Sequence, residues 1–152
     1  MTHTHTKVIK SSHPLMKKFD TPNLGIKEYD HWVLALRAKQ ITLGSCVILL
    51  KRECAFMSDL TDSELIEFKS VSKDWEIAVR HLFRPDKFNY IAAMMKDPFV
   101  HFHAIPRYCE PREFNGQTFN DTSWPSLITF ENISTPESTL RSIRNLFNDV
   151  SI

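Results

Sequence analysis

The segment from Thr61 to Pro85 leaves the chain few architectures to choose from. Thr61-Asp62-Ser63-Glu64 has the form of a capping box, in which the threonine hydroxyl accepts from a free backbone N–H and the glutamate reaches back. Behind it Leu65, Phe68, Val71 (or Ser72), Trp75, Val79 and Leu82 recur at spacings of three and four. That pattern predicts one apolar stripe on a helix of about five turns, closed by Pro85. Such a stripe needs a surface to cover it, and the flanking segments supply strands. Ile26 to Leu36 reads as a strand, Arg37 to Gln40 as a turn, and Gly44 to Leu50 as a buried strand. Beyond the helix, Phe88 to Met95 and Phe99 to Ile105 read as strands joined by a tight turn at Lys96-Asp97-Pro98. Arg107 to Ser134 is irregular, with Asn115-Gly116 and Trp124-Pro125 as turn markers. Thr135 followed by Pro136 predicts the start of a last helix, with Leu140, Ile143 and Leu146 on its buried face. The expected class is α+β, an antiparallel sheet packed against one long helix.

At 152 residues the chain suits one domain, which buries roughly 70% of the surface the unfolded chain exposes. Residues 1–13 are polar and without periodicity, so they read as a flexible tail, and 14–152 as the single domain. The His3 and His5 pair in that tail reads as solvated terminus rather than metal site. Nineteen basic side chains stand against eighteen acidic ones. This balance argues against a nucleic-acid polymer as partner, which needs clustered Lys and Arg, but leaves room for a small phosphate-bearing ligand. The three cysteines form no C-x-x-C pair and read as free thiols in a reducing compartment. No run reaches the ~18 apolar residues of a membrane span, and the start lacks the apolar stretch of a secretory signal. A cytoplasmic protein without a membrane partner is expected.

Side chains alternate along a strand, so His101 and His103 project to one face about 7 Å apart. Phe99 shares that face, and Val100, Phe102 and Ala104 take the opposite one. Burying two imidazoles without partners is costly. Spacing alone leaves three readings open: structural histidines with satisfied partners, a metal pair, and an acid/base or nucleophilic pair. A metal site would want a third ligand, for which His31, Glu53 and Asp97 are the available residues.

The run Asp97-Pro98-Phe99-Val100-His101-Phe102-His103-Ala104-Ile105-Pro106-Arg107-Tyr108 resembles the signature strand of the histidine-triad (HIT) family. Ile105-Pro106-Arg107 anchors the comparison, placing His103 at the third histidine, His101 at the second and Phe99 at the first. Upstream, Leu43-Gly44 entering an apolar strand that ends in Lys51-Arg52, the Ser58 to Glu64 helix start, and Pro85-Asp86-Lys87-Phe88-Asn89 follow in the same order. The likeness spans Tyr29 to Tyr108, and Trp124-Pro125 is similar to a feature of a bacterial branch.

This resemblance implies a HIT-like fold, with about five antiparallel strands against one long helix and a C-terminal helix. It implies nucleotidyl transfer without metal or other cofactor. His101 would attack the α-phosphorus of a nucleotide ester, anhydride (such as a dinucleoside polyphosphate) or phosphoramidate, giving a nucleotidyl-histidine that water hydrolyses. His103 would donate to a phosphate oxygen or the leaving group. The family's backbone carbonyl at the first triad position survives a phenylalanine, so Phe99 would still orient His101. The family's glycine-rich phosphate loop has no counterpart between Tyr90 and Pro98, and Lys96, Ser45 and Arg107 are the candidates to replace it. Asn89 matches a family asparagine and completes the substrate-binding candidates. Trp32 and Trp124 read as packing. The alternative to an enzyme is a HIT scaffold that binds a nucleotide or protein partner with little or no turnover. The family likeness also implies a homodimer with sheets joined edge to edge.

Overall fold

In the computed structural model, which describes residues 13–131 and 133–152, the Thr61 capping box closes from both sides. The Thr61 hydroxyl accepts from the Glu64 amide at 3.1 Å, and the Glu64 carboxylate accepts from the Thr61 amide at 2.9 Å. In chain order the elements are α1 (Pro14–Lys18), α2 (Thr21–Leu24), β1 (Gly25–Glu28), β2 (Trp32–Leu36), β3 (Cys46–Leu50), a 3-10 turn (Met57–Asp59) and α3 (Asp62–Phe83). They continue with β4 (Lys87–Ile91), β5 (His101–Arg107), β6 (Arg112–Phe114), β7 (Gln117–Phe119) and α4 (Glu137–Asp149). The first five strands form one antiparallel sheet in the order β1-β2-β3-β5-β4. The α+β architecture read from the sequence is the one observed.

The α3 stripe lies on this sheet through buried Val71, Trp75, Ala78, Val79 and Phe83, with Phe68 and Leu82 at its margins. Leu65 departs from expectation and is half exposed. In the first turn it is Glu64 that faces inward, because the Trp32 indole N–H donates to its carbonyl and Arg52 donates twice to its carboxylate. Arg52 holds that carboxyl well below the usual range. Trp32 is core, as its neighbours suggested.

Several boundaries differ from the sequence reading: β5 runs His101–Arg107 rather than Phe99 to Ile105, and β3 begins at Cys46 rather than Gly44. Ile26 to Leu36 is two strands, not one, folded at Tyr29 to His31. The Glu67 carboxylate accepts from the amides of Asp30 and His31 there, and Lys51 donates to the Tyr29 carbonyl. β4 ends at Ile91, since Met94 adopts a φ of +45° that an extended strand does not tolerate. Asn115 and Gly116, at φ +52° and +73°, form the two-residue turn of the β6–β7 hairpin inside the region read as irregular. Thr135 does not cap α4: its hydroxyl accepts from the Gln40 amide, and Phe147 takes the deeper position expected of Leu146.

The other sheet face is covered as well. His13, assigned to the tail, is buried and its Nδ1 caps α1 by accepting from the Leu15 amide. Leu15 and Met16 then pack on Val33, Ala35, Val47 and Leu49. His3 and His5 lie outside the described residues.

Candidate functional site

The alternation along β5 sorts its side chains as expected. Val100, Phe102 and Ala104 join the α3 core, and His101 and His103 face α1. Register fixes their surroundings: Leu49 stands opposite His101, and Val47 and Ile91 flank His103. The two imidazole rings are 5.2 Å apart at 80°.

Nδ1 of His101 lies 2.7 Å from the Phe99 carbonyl oxygen. A carbonyl can only accept, so Nδ1 carries the proton and Nε2 holds the lone pair. The position expected to orient His101 by its backbone therefore does so. His103 Nδ1 is buried with no partner among the described residues. That nitrogen is better left unprotonated, which puts the ring proton on Nε2. Burial first, then the Arg37 charge, hold the His103 pKa down to about 3, so the ring is neutral near pH 7.

The two rings differ in access. His103 lines a cavity of about 380 Å³ together with Lys18, Phe19, Arg37, Lys39, Asp97 and Phe130. His101 is only 4% exposed, and Phe19 stands over both rings at 5.8 and 6.0 Å. The two imidazoles share one face as expected, but only His103 opens into the cavity, because Phe19, which follows α1, stands in front of His101. The Phe130 ring tilts onto His103 at 4.9 Å from the other side.

None of the four residues expected to bind substrate lines this cavity. Ser45 is fully buried, its hydroxyl donating to the Thr42 carbonyl and accepting from the Thr42 amide. Arg107 grips Asp121 with two bonds, of 2.6 and 3.0 Å, and also donates to Asn89 and to the Ser126 carbonyl. Both partners of that ion pair are buried, so Asn89 and Arg107 bind the segment around Asp121 to the sheet. Lys96 sits exposed between β4 and β5. Arg37, Lys18, Phe19 and Phe130 were not singled out from the sequence. Arg37 alone had a legible signal, because it continues the Val33, Ala35 parity onto the histidine face.

Among the described residues, no group of three or more His, Cys, Asp and Glu side chains is placed to hold a metal ion. The cysteines are free, Cys46 and Cys54 buried and Cys109 exposed. No helix among the described residues is long and apolar enough to cross a membrane.

No protein-family profile matches the chain, and no curated protein matches it. Solved structures do. A HIT-like protein involved in cell-cycle regulation from Bartonella henselae superimposes with a TM-score of 0.64 at 16% identity, over 93% of this chain and 98% of that one. A histidine triad protein from Sinorhizobium meliloti 1021 gives 0.68 at 13% identity, over 86% and 91%. A hypothetical histidine triad nucleotide-binding protein from Sulfolobus tokodaii gives 0.64 at 12%, over 91% and 89%. These superpositions, which run over most of each chain, make the fold of this chain that of the histidine-triad proteins.

Proposed function

We propose that the chain binds a nucleotide and transfers its nucleotidyl group to water through His101. The observation that carries this reading is the 2.7 Å contact between His101 Nδ1 and the Phe99 carbonyl. When the Nε2 lone pair attacks the α-phosphorus, the ring becomes cationic, and a carbonyl at Nδ1–H stabilises that charge without any proton having to move. The bond from phosphorus to the leaving group breaks, and its electron pair departs with that group. His103, neutral and protonated at Nε2, donates a hydrogen bond to a phosphate oxygen as negative charge gathers there. Water then attacks phosphorus, the P–N bond breaks, and its electrons return to His101 Nε2. The water proton passes to the released nucleotide or to solvent. No metal or cofactor enters this sequence of steps. The nucleotide-binding designation of the Sulfolobus tokodaii protein supports the choice of ligand class. A homodimer belongs to the same reading, since among the described residues β1 and β4 are the outer strands of the sheet.

A second reading, a scaffold that binds nucleotide without turnover, is favoured by the 4% exposure of His101 beneath Phe19. Hydrolysis of adenosine 5′-phosphoramidate and of a dinucleoside polyphosphate, measured with binding of the product nucleotide, separates the two. His101→Ala is expected to lower turnover by about a thousandfold or more and to leave nucleotide affinity nearly unchanged. Equal hydrolysis by both chains refutes the nucleophile. Nucleotide binding with no hydrolysis by the wild type establishes the scaffold.

A further inference from the structure

The cavity beside His103 contains three cationic side chains, Lys18, Arg37 and Lys39, and two carboxylates, Asp20 and Asp97. Both carboxylates are engaged: Asp97 pairs with Lys18, and Asp20 accepts two bonds from the Asn23 amide at 3.0 Å. Arg37 pairs with no carboxylate among the described residues. Its Nη1 donates to the Lys39 carbonyl at 3.0 Å, and its guanidinium lies 5.2 Å from the centre of the Phe130 ring. Its Nε is buried with no hydrogen-bond partner among the described residues. A cation held with an unmet donor in a partly closed cavity is unfavourable on its own. Burial pulls its pKa down to about 10, which leaves it charged at neutral pH. The cost is recovered if an anion arrives.

Arg37 follows β2, and β3 separates that strand from His103 on β5. Two strand spacings amount to roughly 10 Å between their backbones. Arg37 and His103 thus enter the cavity from backbones two strands apart, which leaves room for a ligand that offers each its own polar group. The shared Phe130 ring makes a continuous floor between them.

We infer that Arg37 receives a second anionic group of the ligand, so that the preferred ligands of this cavity carry two phosphates, or a phosphate and a carboxylate. This rests on the nucleotidyl reading for the place of the first phosphate. The second one is either the next phosphate along the chain or a phosphate on the ribose, and the guanidinium chemistry that receives it is the same.

Calorimetric titration of the full chain with AMP, ADP, adenosine 3′,5′-bisphosphate and inorganic pyrophosphate tests it. Wild type should bind ADP or the bisphosphate about tenfold or more tighter than AMP, and whichever gains identifies the source of the second phosphate. Arg37→Met should erase that preference and leave AMP affinity within about threefold. Arg37→Lys, which keeps the charge and the fold but loses the Nε–H, should retain only part of the gain. A preference that survives both substitutions overturns the inference, as does its absence from the wild type when AMP binds. If no nucleotide binds, the nucleotidyl reading fails and pyrophosphate decides the matter. Pyrophosphate binding lost in Arg37→Met supports the anion site, and binding that is absent or indifferent to Arg37 overturns it.

Discussion

At Phe99 it is the backbone carbonyl, which every residue has, that lies 2.7 Å from His101 Nδ1, so the orientation of that ring does not depend on which side chain stands there. His103 leads to a prediction of its own. Its pKa in the folded chain, about 3, is below the ordinary imidazole value. Between about 6.5 and 3 the unfolded chain therefore binds a proton that the folded chain does not. The residue's stabilising contribution is complete above that window and drains away as pH falls through it. Urea unfolding at pH 7 and pH 4 should show the wild type losing on the order of 2 kcal/mol more than His103→Gln, after allowance for partial solvent screening. Equal losses would mean that the imidazole is not held neutral. Of the candidate site residues, the shared face of the two histidines was legible, because strand parity and an apolar frame single them out. Arg37 carried only the parity it shares with Val33 and Ala35, which is easily passed over because a charged residue just past a strand reads as turn. The internal partners of Ser45, Asn89 and Arg107, which are Thr42, Arg107 and Asp121 in turn, were not legible, because they belong to contacts that no local pattern marks.

At the level of elements, α1 and α2 change the site most. They are short, and with only His13 to cap α1 and no apolar periodicity to mark them they were invisible in the sequence. Asp20, at φ +51°, turns the chain between them, and Lys18 ties α1 to the β4–β5 connection through Asp97. Phe19 is thereby set over both imidazoles. If that ring is what shields His101, Phe19→Ala should speed modification of His101 by diethylpyrocarbonate about tenfold, the order expected from the burial energy of one aromatic ring. Peptide mass mapping reads this without any need for turnover, and an unchanged rate would place the barrier elsewhere. The long helix, by contrast, was legible to within a residue at its start, because a capping box is local chemistry. The β6–β7 hairpin was hidden by strands of three residues each, too short for a pattern to register.

On the scale of the whole molecule, the sheet divides the labour between its faces. One face carries α3 and the large apolar cluster, and the other carries the histidines, the cavity and the N-terminal cover. That division was readable in outline, since β5 alternates core residues with histidines and α3 needs a sheet to lie on. The N-terminal cover was not, because it depends on contacts between segments far apart in the chain. The central claim is that His101 takes a nucleotidyl group from substrate. It is met most directly by quenching the chain during turnover of an adenylated substrate and weighing the intact protein, with peptide mapping of any added mass. The expected result is an acid-labile adenylyl adduct on His101 that is absent from His101→Ala. Turnover by a chain that never carries the adduct, or an adduct on another residue, would contradict it.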